Sequence, residues 1–201
     1  LMGLGSLAVI GTQGPSNLVV AVIDNERYGE TGMQTTHTAR GVDLEGVARA
    51  AGFRKTATIY NANELEAALR VGPKFIYVLP NFQNPSGSTL SLERRMQLVR
   101  IADKYGVPII EDDPYGQLRY EGEHIPSIVA LDSEYRGPNG GHYSGNVIYL
   151  STFSKLLAPG LRLGWVIAPA EVIQKLVLSK QAADLHTSSF NQYIAFEAAK
   201  G

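Results

Sequence analysis

Hydrophobic residues in this 201-residue chain fall into short apolar runs, separated by longer stretches with helical spacing. The runs predict strands at residues 18–24, 56–60, 75–79, 107–111, 147–151 and 163–168. The intervening stretches predict helices at residues 44–51, 62–69, 92–105 and 170–185. Because the runs are apolar without alternation, we expect a sheet covered on both faces. The prediction is therefore an α/β fold, a three-layer sandwich with a mostly parallel sheet.

Composition narrows the class of protein without naming a function. Hydrophobic residues make up 44% of the chain, charged residues 18%, and the net charge is -1, which is typical of a globular protein that binds neither nucleic acid nor polyanions. With no cysteine there is no disulfide or thiolate metal site, which suits a cytoplasmic location. The longest apolar run, residues 18–23, is too short to span a membrane. No secretory signal is visible, and the abrupt ends suggest a fragment.

Polar side chains follow three of the predicted strands. Asn84 comes after the strand at 75–79, Asp112 directly follows the strand at 107–111, and Lys155 follows the strand at 147–151. Ligands of α/β proteins bind where the chain leaves the carboxyl ends of parallel strands. We therefore expect these three residues to meet at one edge of the sheet.

The segment from Tyr149 to Trp165 contains the most informative lysine. A lone lysine is usually an exposed surface residue, but Lys155 follows a predicted buried strand and has hydroxyls beside it, Thr152 and Ser154. Arg162 lies seven residues on, after a Pro-Gly turn that can bring it back toward the same place. An amine can form a Schiff base with an aldehyde cofactor, and hydroxyls with a guanidinium suit a phosphate. The segment therefore indicates a covalent cofactor site.

Two further motifs are ambiguous when read alone. The run from Asn84 to Gly87 contains turn-forming residues and could be only a turn. The run Glu111-Asp-Asp-Pro-Tyr-Gly116 places consecutive acids at a strand end, where burial is costly without a cationic partner. Read alone, these acids are consistent with a solvated strand end or with a Mg²⁺ site.

Together these motifs resemble pyridoxal-phosphate enzymes of the class I aminotransferase type. The resemblance runs from Phe75 to Gly201, and these motifs stand in the family's order. It is strongest to the branch that contains 2-aminoadipate aminotransferases and the aminotransferase-like halves of certain transcription regulators. It implies part of the large domain of a fold type I pyridoxal-phosphate-dependent transferase.

The resemblance also implies roles for the candidate residues. Lys155 would form the Schiff base and move the substrate's α-proton, while Asp112 would hold the ring nitrogen protonated. Asn84 and Tyr115 would donate hydrogen bonds to the phenolic oxygen of the cofactor. The phosphate would be held by Thr152, Ser154 and Arg162. Asp113 is interpreted as structural, and no metal ligand is assigned in this segment.

Residues 1–73 follow a different pattern. The run from Asn17 to Gly32, with the segments 35–44 and 48–53, resembles the cofactor domain of phosphonopyruvate and sulfopyruvate decarboxylases, which use thiamin diphosphate. In that resemblance Asp24-Asn25 takes the place of a Mg²⁺-binding pair. The Gly-Asp-Gly element that opens such a site is absent from the sequence. We therefore divide the chain into a decarboxylase-like segment, 1–73, and an aminotransferase large-domain segment, 74–201, as in a chimera.

Three functions remain open from the sequence. The first is an aminotransferase-type domain that moves an amino group between an amino acid and a 2-oxo acid, incomplete as an enzyme because the family's small domain is absent. The second is a fragment of a thiamin-diphosphate-dependent 2-oxo acid decarboxylase. The third is a non-catalytic chimeric or cofactor-sensing domain. The first implies small-molecule partners and a homodimer once the family's missing segments are present, and no nucleic acid or membrane.

Overall fold

The computed structural model describes residues 4–14, 27–28, 34–84, 87–137 and 141–200. Its helices are α1 (Leu4–Gln13), α2 (Leu44–Ala50), α3 (Ala62–Leu69), α4 (Leu92–Tyr105), α5 (Ile128–Arg136), α6 (Phe153–Leu156), α7 (Ala170–Ala183) and α8 (Ser189–Ala198). Its strands are β1 (Arg27–Tyr28), β2 (Gln34–Thr35), β3 (Ile76–Val78), β4 (Ile109–Asp112), β5 (Val147–Thr152) and β6 (Gly164–Ile167). Short 3₁₀ turns lie at Thr38–Arg40 and Pro159–Leu161. The strands and helices confirm the predicted α/β class.

The main sheet has the order β3-β4-β5-β6. Strands β3, β4 and β5 are parallel, whereas β6 runs antiparallel to β5. The sheet is therefore mostly parallel, as predicted. Because parallel strands end on the same side, the chain leaves β3, β4 and β5 from one edge of the sheet.

Burial alternates along β3, β4 and β5 and distinguishes the two faces of the sheet. One face, which we call the covered face, consists of the buried residues Ile76, Val78, Ile109, Glu111, Val147 and Tyr149. The other, which we call the open face, consists of the half-buried residues Tyr77, Ile110, Asp112, Ile148 and Leu150. Within the described residues, only the covered face is buried completely, although the apolar strands predicted cover on both faces.

Helices α3, α4 and α5 pack together, and α5 also contacts β5. Their apolar residues join those of the covered face in one core cluster that includes Leu69, Val99, Ala102, Ile128 and Val129. Burial of this apolar surface is the main stabilising contribution to the fold. The core thus lies on the covered face of the sheet.

Helix α4 has the ends that its sequence predicts. The Ser91 side chain accepts a hydrogen bond from the Arg94 backbone N–H at 3.3 Å, which caps the first turn. Gly106 ends the helix in the left-handed conformation with φ 63°, and its N–H bonds the last carbonyls. These local signals give α4 the predicted bounds.

Residues 56–60 do not form the predicted strand. They are mostly exposed, and the Thr58 backbone N–H donates to a carboxylate oxygen of Glu45 at 3.2 Å, instead of to a neighbouring strand. The Thr56 hydroxyl also donates to Glu45. A β-branched run forms a strand only where another strand offers backbone partners, and here a side chain takes that place. The predicted strand at 18–24 lies outside the described residues.

The structure also adds and shortens elements. Helix α5, which the sequence interpretation missed, begins at Ile128 after the Ser127 cap, and helix α7 ends at Ala183 rather than at Leu185. None of the described helices combines the length and hydropathy needed to cross a bilayer.

Candidate functional site

The sheet brings three of the predicted site residues toward one edge. Asn84 lies in the turn after β3 and is exposed. Asp112 is the last residue of β4, and Lys155 lies in α6, three residues after β5 ends. Since β3, β4 and β5 are parallel neighbours, the carboxyl ends of all three strands contribute to the same region.

The Asp112 carboxylate is held by a tyrosine that the sequence interpretation did not single out. The Tyr77 hydroxyl donates to Asp112 Oδ2 at 2.5 Å, across the boundary between β3 and β4. Burial, and then this hydrogen bond, raise the pKa of Tyr77 above its usual range, so the phenol keeps its proton. Tyr77 pairs with Ile110, which is two residues before Asp112 on the open face, and diagonal cross-strand neighbours of this kind are within reach of an aromatic side chain. The pairing register was the signal that could have identified Tyr77.

Tyr115 lies in the turn that follows β4 and is half-buried. The turn is fixed by Asp113, whose Oδ1 accepts the Gly116 backbone N–H at 2.9 Å. The Leu118 N–H donates to the Tyr115 carbonyl at 2.8 Å, which tightens the turn further. Tyr115 is thus placed close in the chain to Asp112, on a turn with defined backbone hydrogen bonds.

The hydroxyl of Thr152 has two partners within the protein. It accepts the Ser154 backbone N–H at 3.1 Å, which caps α6, and it donates to the Leu163 carbonyl at 3.0 Å. A hydroxyl has one proton to donate. In this conformation the proton of Thr152 is therefore directed at Leu163 rather than at a ligand.

Lys155 and Arg162 are both exposed. Among the described residues, no hydrogen bond or ion pair of the Lys155 amine is found. Arg162 adopts the left-handed conformation with φ 52° directly after the 3₁₀ turn, and its Nη1 donates to the Pro159 carbonyl at 3.3 Å. The turn is supported by Asn191 of α8, whose Nδ2 donates to the Leu161 carbonyl at 3.0 Å. The chain after Pro159 turns back to β5, where the Leu163 carbonyl accepts the Thr152 hydroxyl, and the approach of Arg162 to a phosphate stays a prediction.

Glu111, one residue before Asp112, lies on the covered face and is fully buried. Its carboxylate accepts the backbone N–H groups of Ile128 at 2.7 Å and Val129 at 2.9 Å, at the start of α5. Burial raises the pKa of Glu111 to about 7, against the opposing effect of these two hydrogen bonds. The hydrogen bonds of this acid thus go to backbone N–H groups, while the positive charge of the buried Arg95 also favours its ionised form.

No group of three or more possible metal ligands occurs in the described ranges. Asp24 and Asn25, the residues of the predicted Mg²⁺-binding pair, lie outside those ranges.

Comparison with known proteins gives a family match and close relatives. The family model "Aminotransferase class I and II" matches residues 47–201. An uncharacterized aminotransferase of Saccharolobus solfataricus is 54% identical over 125 residues, which are 62% of this chain and 29% of the relative. The 2-aminoadipate transaminase of Thermus thermophilus is 40% identical over 135 residues, which are 67% of this chain and 32% of the relative.

Solved structures include the α-aminoadipate aminotransferase of Thermus thermophilus, in complex with N-(5'-phosphopyridoxyl)-L-leucine. The similarity has a TM-score of 0.66 at 29% sequence identity and covers 98% of this chain and 47% of that protein. The chain thus spans less than half the length of these relatives. The family match begins at residue 47, inside the segment that resembles the decarboxylases.

Proposed function

The chain belongs to the class I and II aminotransferase family, and we propose that it is the cofactor-holding part of a pyridoxal-phosphate-dependent aminotransferase. The whole protein would move an amino group between an amino acid and a 2-oxo acid. The observation that carries the proposal is the arrangement of Asn84, Asp112 and Lys155 after three parallel strands of one sheet. This is where α/β proteins bind ligands, and the residue types suit this cofactor.

Pyridoxal phosphate, when bound, supplies an aldehyde that takes up an amine and a ring that accepts electrons from the substrate's α-carbon. The residues present fit it on its ring side. An anionic Asp112 would hold a proton on the ring nitrogen, and the Tyr77 hydroxyl, 2.5 Å from Asp112 Oδ2, would fix the orientation of that carboxylate. Asn84 and Tyr115 would donate to the phenolic oxygen.

Lys155 is proposed to attach the cofactor through its amine. When it is not attached to the cofactor, the Lys155 Nζ would accept the proton from the substrate's α-carbon and deliver it to the cofactor. The exposed position of Lys155 in α6 supports access of a substrate to this amine.

The phosphate is proposed to contact Ser154, Arg162 and Thr152. Ser154 is half-buried at the start of α6, and Arg162 is exposed after the 3₁₀ turn. For Thr152 to donate to a phosphate, its hydroxyl must exchange the Leu163 carbonyl for the ligand. Guanidinium and hydroxyl donors are the groups that phosphate recognition favours.

Several finer features of the whole protein are also proposals. The resemblance to 2-aminoadipate transaminase supports a substrate of the amino-dicarboxylic class, and we propose a cytoplasmic homodimer without a nucleic-acid or membrane partner. We expect this chain to capture the cofactor without efficient turnover, because it spans less than half the length of its solved relative. The division into segments 1–73 and 74–201 remains a prediction, although the family match begins earlier, at residue 47.

The decisive experiment measures cofactor capture by the purified chain. After incubation with pyridoxal phosphate and desalting, we expect a visible absorption band in the wild type and no band in Lys155→Ala. Lys175→Ala, which removes another exposed lysine, in α7, is the matched control and should retain the band. Absence of the band from the folded wild type, or its persistence in Lys155→Ala, would contradict the proposal.

A further inference from the structure

A buried guanidinium joins the segments that carry the proposed cofactor donors. Arg95 of α4 is 0% exposed, and no acid forms an ion pair with it among the described residues. Its Nη1 donates to the Pro126 carbonyl at 2.8 Å, and its Nη2 donates to the Pro80 carbonyl at 3.2 Å and to Asn81 Oδ1 at 2.5 Å. Arg95 thus holds the chain directly after β3 and the segment before α5 at the same time.

Asn81 also binds the turn after β4, so it connects this turn to Arg95. Its Nδ2 donates to Asp113 Oδ1 at 3.0 Å, and the same oxygen accepts the Gly116 N–H at 2.9 Å. Asn81 is 4% exposed and Asp113 is 5% exposed, so water does not compete for these bonds. A charged partner on each side makes such bonds stronger than those between neutral groups.

The two ends of the Asn81 amide differ in hydrogen bonding, and this fixes the orientation of the side chain. A carboxamide accepts through its oxygen and donates through its nitrogen. Since Arg95 can only donate and an ionised Asp113 can only accept, Asn81 between them has one favourable orientation. Neither a carboxylate nor an aliphatic side chain at position 81 could serve both neighbours.

The backbone of the turn after β4 approaches this connection closely at Gly116. A Cβ at Gly116 would lie 2.3 Å from Asp113 Oδ2 and 2.8 Å from Asn81 Nδ2, closer than real atoms approach. The backbone of the turn therefore packs directly against both side chains.

A second contact joins the same two segments. The Arg119 guanidinium lies 4.8 Å from the centre of the Phe82 ring, which is a cation–π distance. Phe82 adopts φ 46°, a left-handed conformation that is unfavourable for a bulky residue unless its surroundings hold it. The segment after β3 is therefore held in a specific conformation from two sides.

We propose that Arg95, Asn81 and Asp113 form a positioning relay, in which Asn81 sets the distance between Asn84 and Tyr115. The inference rests on the proposed cofactor site. Asn81 lies three residues before Asn84, and Asp113 binds the residue that follows Tyr115. Two donors can share one phenolic oxygen only if their segments keep a fixed separation, and the relay connects these two segments through buried hydrogen bonds.

The test uses the full chain with Asn81→Ala, and Asn81→Ser as a milder second variant whose side chain is too short to bridge. Tyr143→Phe is the matched control, because it also removes a partly buried hydrogen bond, to Asp132, but at a place remote from the relay in the chain. Three quantities are measured: affinity for pyridoxal phosphate, the pH midpoint of the bound cofactor's visible spectrum, and hydrogen exchange of the cofactor-free chain.

We expect both Asn81 variants to weaken cofactor binding about tenfold, the order expected for loss of a hydrogen bond to a charged group. Donors to the phenolic oxygen stabilise its negative charge, so loosening them should move the spectral midpoint to higher pH. Tyr143→Phe should lower stability but leave affinity and midpoint unchanged. Binding by the Asn81 variants within about twofold of the wild type, or an equal loss in Tyr143→Phe, would overturn the inference.

Asp113→Asn provides a rescue within the relay. The amide oxygen that this substitution introduces can still accept from Gly116 and Asn81, so the variant should bind the cofactor better than Asp113→Ala does. Equal losses in the two variants would indicate a general effect on folding and would count against the relay.

Hydrogen exchange of the cofactor-free chain separates failure of the relay from failure of the proposed function. If the wild type captures no cofactor, the proposed function fails. The relay still predicts faster exchange at residues 113–118 in the Asn81 variants, since the support for the Gly116 N–H is lost. Unchanged exchange there would overturn the relay whether or not the wild type binds the cofactor.

Discussion

On β4, Ile109 and Glu111 lie on the covered face of the sheet, whereas Ile110 and Asp112 lie on the open face. The covered face packs into the core with α5, and even its acid is satisfied by backbone N–H groups. The open face keeps its acid half-exposed, with a tyrosine hydroxyl as partner. Adjacent residues of one strand thus differ in function: we expect changes on the covered face to alter stability and changes on the open face to alter ligand binding.

The largest effect should come from shortening the two neighbouring isoleucines of β4, each in its own variant. Ile109→Ala should lower the free energy of unfolding by about 2–5 kcal/mol, because Ile109 is only 1% exposed and its loss leaves a cavity. Ile110→Ala, on the open face, should cost about 1 kcal/mol. Urea unfolding of both variants measures the difference. Equal losses would mean that the two faces are packed alike.

The second effect concerns the pH dependence of stability through Glu111. In the unfolded chain the pKa is near its ordinary value of 4.5, whereas burial raises the pKa in the folded protein to about 7. The folded state therefore binds the proton more tightly, so this stabilising contribution is fully present below pH 4.5 and is lost as the pH rises through about 7. The loss should be about 3 kcal/mol.

The measurement compares the wild type with Glu111→Gln over this pH range. The wild type should lose stability relative to the variant as the pH rises, because glutamine does not titrate. The amide can satisfy only one of the two N–H donors with its oxygen, so the variant should be less stable than the wild type in acid. A difference in unfolding free energy that is independent of pH would contradict the assignment of this titration to Glu111.

The third effect is on the open face. Tyr77→Phe removes the donor to Asp112, and we expect affinity for pyridoxal phosphate to fall by about 3- to 10-fold with little change in stability. Spectrophotometric titration measures the affinity and urea unfolding the stability. In Tyr143→Phe, which loses its bond to the buried Asp132, stability should fall while the affinity stays unchanged. A large loss of stability in Tyr77→Phe without a loss of affinity would make this tyrosine structural.

Sequence reasoning succeeded where the signals are local. Ser91 and Gly106 are adjacent to the ends of α4 and determine where it starts and stops, so those ends were predicted correctly. The positions of the strands after residue 74 followed from apolar runs bounded by turn residues. The predicted edge with Asn84, Asp112 and Lys155 then followed from the parallel topology.

Sequence reasoning failed where the residues that bind each other are distant in the chain. The run at 56–60 has the β-branched residues of a strand, but its backbone partner is the side chain of Glu45. The expected cation near Glu111 is Arg95, but the direct hydrogen bonds of Glu111 come from N–H groups of a helix that the sequence interpretation missed. The contacts of Arg95 with Asn81 and Pro126 similarly depend on how α4 packs, which no local pattern specifies.

The smallest expected effect tests the segment before residue 74. Mg²⁺ with thiamin diphosphate should leave the Tm of the chain unchanged, because the sequence contains no Gly-Asp-Gly element to hold the metal with Asn25. A ligand that binds only the folded state raises Tm by mass action, and pyridoxal phosphate in the same assay is the positive control. A Mg²⁺-dependent rise that disappears in Asn25→Ala would contradict this expectation. Such a rise would place a ligand site in the first segment, separate from the open face of the sheet.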